Sequence, residues 1–267
     1  MNLFFTNQGW IGESELNATI FNTNNSIYEV VRIISGVPLF LEDHFDRLKK
    51  SFLFQDLEFN LDFTHFKASL VALSLKNQVF DGNVKFAYSM NNQVPSYLYG
   101  FIPNSYPESE DYLQGVKTDL FWAERESPNA KVIQQDIRER ANQQIKENGL
   151  YEVLLVNRDG LITEGSRSNV FFMKENRFYT APENQVLVGV TRQKVLKCLT
   201  ELGFTIVEEA VSASAINTFD AAFLTGTSPK VLPVSSVGNQ VFNAQRPTVK
   251  KLIDRYDEMI SKYIGTH

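Results

Sequence analysis

The 267-residue chain has a single cysteine, Cys198. One cysteine excludes an intrachain disulfide framework, and no ligand cluster surrounds it in sequence. It reads as a small apolar residue on an amphipathic helix. Three histidines, His44, His65 and His267, are too few and too dispersed for a histidine-based metal centre, so no metal is expected. Basic residues are also short: 26 Lys and Arg stand against 31 Asp and Glu, a net charge of −5. The electrostatic footprint of a nucleic-acid binder is missing, and the pairs Lys49-Lys50 and Lys250-Lys251 read as solvated helix faces. No apolar run approaches the roughly 20 residues that a membrane helix needs. The stretch MNLFFTNQGWIGE lacks the basic and long apolar regions of a signal peptide. A cytoplasmic protein with neither membrane nor nucleic acid as partner is the expectation. Internal repeats and low-complexity segments are absent as well.

What is present is a globular composition, 43% apolar with 21 Phe. IYEVVRI and PLFL read as strands joined at Ser35-Gly36, a hairpin signal. Leu41, Phe45, Leu48 and Phe52 recur at helical spacing, and DFTHFKASLVALSL reads as a second amphipathic helix. VKFAYSM and YLYGFI follow as strands around a polar NNQVPS loop. A linker rich in Pro, Ser and acid lies at Ile102 to Gly115. Beyond it come the strand VKTDLFWAE, a polar helix over Lys131–Asn148 closed by Gly149, and the strand YEVLLVN. The turn Arg158-Asp159-Gly160 leads to LITEGSRSNVFF. VGVTRQKVLKCLTELG reads as a helix with Thr191 as N-cap, FTIVEEAV and AAFLTGT as strands, and the last helix has Pro247 in its first turn. Two α/β domains are expected, 1–112 and 113–267, with sites in the cleft between them.

Three small polar turns share a physical character: Gly165–Asn169, Gly189–Thr191 and Thr225–Ser228. Each can aim backbone N–H groups and hydroxyls at an anion. The first follows Glu164, a carboxylate able to hold the proton of a ring nitrogen. Lys131 stands at the expected helix start, where the macrodipole disfavours a cation and would lower its pKa. A lysine that attacks a carbonyl must do so as the neutral amine. Taken alone, Lys131 is also compatible with an ordinary surface lysine.

Five segments then combine. DHFDRLKKS, Lys131 before Tyr151-Glu152, DGLITEGSRSNVFF, LVGVTRQKVL and FDAAFLTGTSPKVLPV resemble, in order and spacing, the class IV (fold-type IV) pyridoxal-phosphate-dependent aminotransferases. Branched-chain aminotransferases, D-amino-acid aminotransferases and aminodeoxychorismate lyases are its relatives. The resemblance implies a smaller N-terminal α/β domain, a larger C-terminal domain, an active site at their interface, and a homodimer. It implies pyridoxal 5′-phosphate as cofactor. Lys131 would be the Schiff-base lysine and proton carrier, and Glu164 the partner of the pyridine nitrogen. Arg47, Val190, Thr191 and Thr227 would hold the phosphate, while Ser168 and Asn169 would line the cofactor. Tyr28, Arg167 and Ser228 would face a small-molecule amino acid or 2-oxo acid.

Departures accompany the match. The family's Gly-Asp-Gly-like turn is Asn24-Asn25-Ser26 here. The first-domain strand that usually offers an arginine to the substrate carboxylate reads VKFAYSMNNQ. Gln134 stands where an Asn commonly follows the lysine, and Asp136 where branched-chain enzymes place a Tyr. Arg32, Arg138 and Arg167 are the candidate carboxylate partners. Amino-group transfer is the leading expectation, aminodeoxychorismate lysis to pyruvate and 4-aminobenzoate the alternative, and a non-catalytic homologue the third.

Overall fold

The computed structural model describes residues 2–16, 26–91, 94–103, 105–125 and 128–267. The chain groups into two units. One comprises Met1–Ser105, Ala130–Gln135 and Ile260–His267; the other comprises Tyr106–Asn129 and Asp136–Met259. The sequence reading placed a single cut at 112/113, whereas here Lys131 and the end of the last helix group with the N-terminal stretch. Of the expected turn Asn24-Asn25-Ser26, the two asparagines lie outside the described residues.

In the first unit, strict alternation in IYEVVRII builds β3 (Ile27–Ile34). Its odd-numbered residues are buried and its even-numbered ones partly exposed. β3 sits in an antiparallel six-stranded sheet with β1 (Leu3–Thr6), β2 (Gly9–Gly12), β4 (Val37–Pro38), β5 (Gly82–Asn91) and β6 (Val94–Ile102), in the order β2-β1-β6-β5-β3-β4. Ser35 and Gly36 both take positive φ, 50° and 81°, as a two-residue hairpin turn requires. The strand expected over PLFL shrinks to Val37–Pro38, because Leu41 already opens the next helix. The polar NNQVPS loop is likewise shorter than expected, since pairing runs out to Asn91↔Val94.

Two helices cover one face of this sheet, α1 (Leu41–Leu53) and α2 (Phe63–Asn77). Asp62 caps α2 by accepting the His65 N–H at 2.9 Å. Ile27, Val31 and Ile33 of β3 join Leu41, Leu48 and Phe52 of α1 and Phe66, Leu70 and Leu73 of α2 in one core. Each such side chain contributes about 1.5–3 kcal/mol on full burial. Tyr263 belongs to this unit too: its hydroxyl accepts from Leu41 N–H at 3.1 Å and donates to Glu42 at 2.7 Å, and its ring packs edge-on against Phe40.

The second unit is a mixed ten-stranded sheet. Its strands are β7 (Val116–Trp122), β8 (Glu152–Val156), β9 (Leu161–Gly165), β10 (Asn169–Lys174), β11 (Arg177–Thr180), β12 (Thr205–Glu208), β13 (Val211–Ser212), β14 (Ala221–Gly226), β15 (Lys230–Val237) and β16 (Gln240–Val241). The order is β12-β11-β10-β14-β15-β7-β8-β9-β13, with β16 beside β15. β8 is buried throughout: Leu154 and Val156 pack into one cluster and Val153 and Leu155 into another, so both its faces are covered. The helices are α3 (Ser109–Gln114), inside the expected linker, then α4 (Gln135–Asn148), α5 (Val190–Glu201) and α6 (Pro247–Thr266). Cys198 lies fully buried on α5, and burial pushes its thiol up to about 11. No helix among the described residues is long and apolar enough to cross a membrane.

Candidate active site

Lys131 is not at a helix start. α4 begins at Gln135, one turn later. The reason is local burial: Ala130, Val132 and Ile133 are apolar and buried, and they extend the sheet instead of coiling. Val132 forms a bridge with Ile27, the Tyr28 N–H donates to the Lys131 carbonyl at 3.0 Å, and the Ile133 N–H donates to the Ser26 carbonyl at 3.1 Å. The Lys131 N–H donates to Ser51 Oγ at 3.1 Å. The macrodipole acts within the first helical turn, so it does not act on this amine. What the structure provides instead is a backbone pinned on both sides and an Nζ 4.7 Å from the Tyr28 ring centre.

Tyr28 occupies the sheet face opposite the helices, where it packs against a small cluster of Phe4, Ala87 and Leu98. The next residue, Glu29, points into the core and is fully buried. Arg47 meets it with a two-pronged fork, Nε to Oε1 at 2.7 Å and Nη2 to Oε2 at 2.8 Å, and His44 Nδ1 lies 2.7 Å from Oε2. Burial alone would raise the Glu29 pKa. The Arg47 charge and the hydrogen bonds from His44 and Arg47 outweigh it and hold the carboxyl at about 2. Burial depresses the His44 pKa, so the ring favours its neutral form despite Glu29. Arg47, which the resemblance implies as a phosphate ligand, is 7% exposed and has two of its three nitrogens on Glu29. It also connects to the lysine: Ser51 Oγ donates to the Arg47 carbonyl while accepting from Lys131.

In the second unit, Glu164 is 3% exposed. Its Oε1 accepts from Arg125 Nη1 at 3.0 Å, and its Oε2 from the Leu187 N–H at 3.1 Å and Asn169 Nδ2 at 3.4 Å. Asn169 also donates to the Leu187 carbonyl at 2.9 Å. A Cβ at Gly189 would fall well inside contact distance of Asn169 Oδ1, so only glycine lets the chain pass this close. Gly189, extended at φ −65° and ψ 134°, is the N-cap of α5 and supplies no side-chain cap. Thr191, expected as the cap, is the second helical residue and is buried, as is Val190. The first-turn N–H groups of α5 therefore meet no capping side chain, the arrangement that suits an anion.

The turn after Glu164 is shaped by Glu152, a second buried acid. Glu152 accepts from Ser166 Oγ at 2.6 Å, Ser168 Oγ at 3.0 Å and the Arg167 N–H at 3.1 Å. Ser168, expected to line the cofactor, thus donates its hydroxyl hydrogen bond to Glu152. Arg167 is exposed, and its guanidinium bonds Asn142 on α4. Thr227 and Ser228 sit partly buried in the turn between β14 and β15. Gln134 carries a buried Oε1 without a hydrogen bond, and Asp136 is exposed opposite Arg140 at 3.5 Å. Arg32 is partly buried on β3 and Arg138 partly buried on α4.

Sequence reasoning missed Arg125, Glu152 and the Glu29–His44 pair. Arg125 lies in a polar run with no periodicity. Glu29 carried a signal: an acid on the buried phase of an apolar alternation calls for a cation nearby.

Comparisons with known proteins give the family and the fold. The family model described as "Amino-transferase class IV" matches residues 26–237. A D-alanine aminotransferase of Bacillus licheniformis is 29% identical over 245 residues, covering 85% of this chain and 84% of its own. A probable branched-chain-amino-acid aminotransferase of Thermotoga maritima is 28% identical over 243 residues, covering 88% and 86%. Among solved structures, the branched-chain aminotransferase of the archaeon Thermoproteus uzoniensis with norvaline superposes with a TM-score of 0.84 at 19% identity, over 99% of this chain and 98% of that one. At that identity the likeness is one of fold.

Proposed function

This chain belongs to the amino-transferase class IV family, and from that premise we propose that it is a pyridoxal 5′-phosphate-dependent enzyme that transfers an amino group between an amino acid and a 2-oxo acid. The observation that carries the reading is Lys131: an amine on a strand-like segment fixed through Tyr28, Ile133 and Ser51 and held beside an aromatic ring.

The residues suit the cofactor. Bound pyridoxal phosphate supplies a carbonyl carbon that condenses with amines and a protonated ring that draws electrons from the substrate's Cα. Lys131 Nζ is the amine that would hold the cofactor and carry the proton to and from Cα. Glu164 is the group that would keep the ring nitrogen protonated: buried, and fixed by Arg125, Asn169 and Leu187, it presents a carboxylate in one orientation. The open N-terminal turn of α5, with Val190 and Thr191, and Thr227 would hold the phosphate. Arg47, the remaining expected phosphate ligand, has Nε and Nη2 on Glu29 and would meet the phosphate through Nη1. Asn169 acts by orienting Glu164, and Ser168 by fixing the turn on Glu152. A homodimer is part of this reading.

The test is chemical. Protein loaded with pyridoxal phosphate, reduced with borohydride and digested should carry the label on Lys131. Lys131→Ala should lose the label and at least roughly 10²-fold in rate, as for loss of a positioned proton carrier. A protein that acquires no cofactor absorbance, or a label elsewhere, overturns the proposal. Incubation with aminodeoxychorismate separates transfer from lysis: release of pyruvate with 4-aminobenzoate would move the assignment to the lyase.

A further inference from the structure

The segment that bears Lys131 and the helix that bears Arg47 share one buried hydroxyl. Ser51 lies on α1 one turn beyond Arg47, among the residues that bury Leu41, Leu48 and Phe52, and is itself fully buried. Its Oγ donates to the Arg47 carbonyl at 3.1 Å, a bond within its own helix. The same oxygen accepts the Lys131 N–H at 3.1 Å, from 80 residues away in sequence. An alanine would suit this apolar stripe equally well and leave that N–H without its partner. The contacts close a loop. The Tyr28 N–H donates to the Lys131 carbonyl at 3.0 Å. Glu29, the next residue on β3, accepts from Arg47 Nε at 2.7 Å and Nη2 at 2.8 Å. Arg47 returns through its carbonyl to Ser51, and Ser51 to Lys131. His44 Nδ1, 2.7 Å from Glu29 Oε2, keeps the carboxylate from turning. Two side chains thus have fixed places in one frame. Lys131 is anchored by its carbonyl on β3 and by its N–H on α1, and Arg47 has two nitrogens spent on Glu29. Arg47 Nη1 makes no hydrogen bond among the described residues.

On the reading of Lys131 as the reactive amine, we propose that Ser51 and Glu29 are positioning residues that set the span between that amine and Arg47 Nη1. The frame then favours an aldehyde that carries a phosphate on the same rigid ring over the same aldehyde without one. In pyridoxal phosphate the aldehyde carbon and the phosphate are attached to one flat ring, so their separation varies little. A ligand that must meet both groups at once gains from a frame already held at the matching span. A frame that yields by on the order of 1 Å forfeits up to about 10²-fold. A ligand that meets Lys131 alone is indifferent to the span. Neither Ser51 nor Glu29 touches the ligand: Ser51 acts through the Lys131 backbone, and Glu29 through the Arg47 guanidinium.

The experiment uses the cofactor-free full chain as wild type, Ser51→Ala, Ser51→Thr and Glu29→Gln. Each is titrated with pyridoxal phosphate and, separately, with pyridoxal, then fixed with borohydride, and the label on Lys131 is quantified by peptide mass. Pyridoxal deletes the phosphate from the ligand and leaves the frame of the protein whole. Ser51→Ala should raise the half-saturating concentration of pyridoxal phosphate roughly 10- to 100-fold and leave that of pyridoxal unchanged. Glu29→Gln, which loosens the frame at its other corner, should show the same split. Ser51→Thr, which keeps the hydroxyl, should stay near wild type. The assignment is overturned if Ser51→Ala takes pyridoxal phosphate as wild type does, if Ser51→Ala and Glu29→Gln each weaken the two aldehydes alike, or if Ser51→Thr is as impaired as Ser51→Ala. A wild-type chain that neither aldehyde labels at Lys131 refutes the underlying reading instead.

Discussion

Replacing Arg125 by methionine removes the guanidinium from Glu164 while keeping a long apolar stem. Glu164 would remain buried, held by the Leu187 N–H and the Asn169 amide. Breaking a buried ion pair from one side costs about 3–5 kcal/mol, because the remaining charge is left uncompensated. The Arg125 side chain is 14% exposed and that of Glu164 4%, so the lower end applies, about 3 kcal/mol. In a protein of this size, that is a fall in Tm of roughly 6–12 °C. The assay is thermal unfolding by circular dichroism on cofactor-free protein, since bound cofactor would add its own stabilisation by mass action. Arg125→Met with Glu164→Gln should recover part of the loss, because the amide needs no counter-charge. The double-mutant cycle should give a coupling of about 2 kcal/mol or more. If Arg125→Met lies within about 0.5 kcal/mol of wild type, or the cycle shows no coupling, the ion pair does not fix Glu164 and the reasoning fails.

Two further outcomes follow from the geometry. Glu29 has a folded pKa of about 2, below its ordinary 4.5; its contribution is present above about pH 4.5 and is lost as pH falls toward 2, on the order of 3 kcal/mol. Glu29→Gln should flatten that acid limb in urea titrations while lowering stability at pH 7, where Arg47 loses its partner; an unaltered limb would show that Glu29 is not the group responsible. Gly189→Ala should cost about 1–3 kcal/mol by forcing Asn169 aside, with Gly265→Ala, where an added Cβ meets nothing, staying within about 0.5 kcal/mol by the same measurement. Equal effects at the two positions would contradict the close approach.

Where neighbours in sequence decide the structure, the sequence was legible. Leu41, Phe45, Leu48 and Phe52 announced α1, and strict alternation announced β3. Glu164 and its small-residue turn were visible because the acid and the glycine are adjacent. Lys131 was expected at a helix start, and the helix begins at Gln135 instead. Its extended segment is held by Ser26, Ile27 and Tyr28, about a hundred positions earlier, and no local pattern encodes a pairing of that span. Arg125 was hidden for the same reason, as its partner is 39 residues away. Arg47 was read as a phosphate ligand from the resemblance, and its pairing with Glu29, on a strand that precedes the helix, has no local signal.

The first unit draws on three separate stretches of chain, with residues 130–135 and 260–267 reaching it long after residues 1–105. During synthesis, the strands and helices of the N-terminal stretch leave the ribosome first, yet the segment bearing Lys131 follows only after β7. Tyr263, which ties down the start of α1, comes more than a hundred residues later still. A nascent chain halted before Ala130 would have every strand of that sheet, and Tyr28, without Lys131. The order of translation thus supplies Lys131 only after all six strands of the first unit's sheet have been made, and before most of the second unit exists.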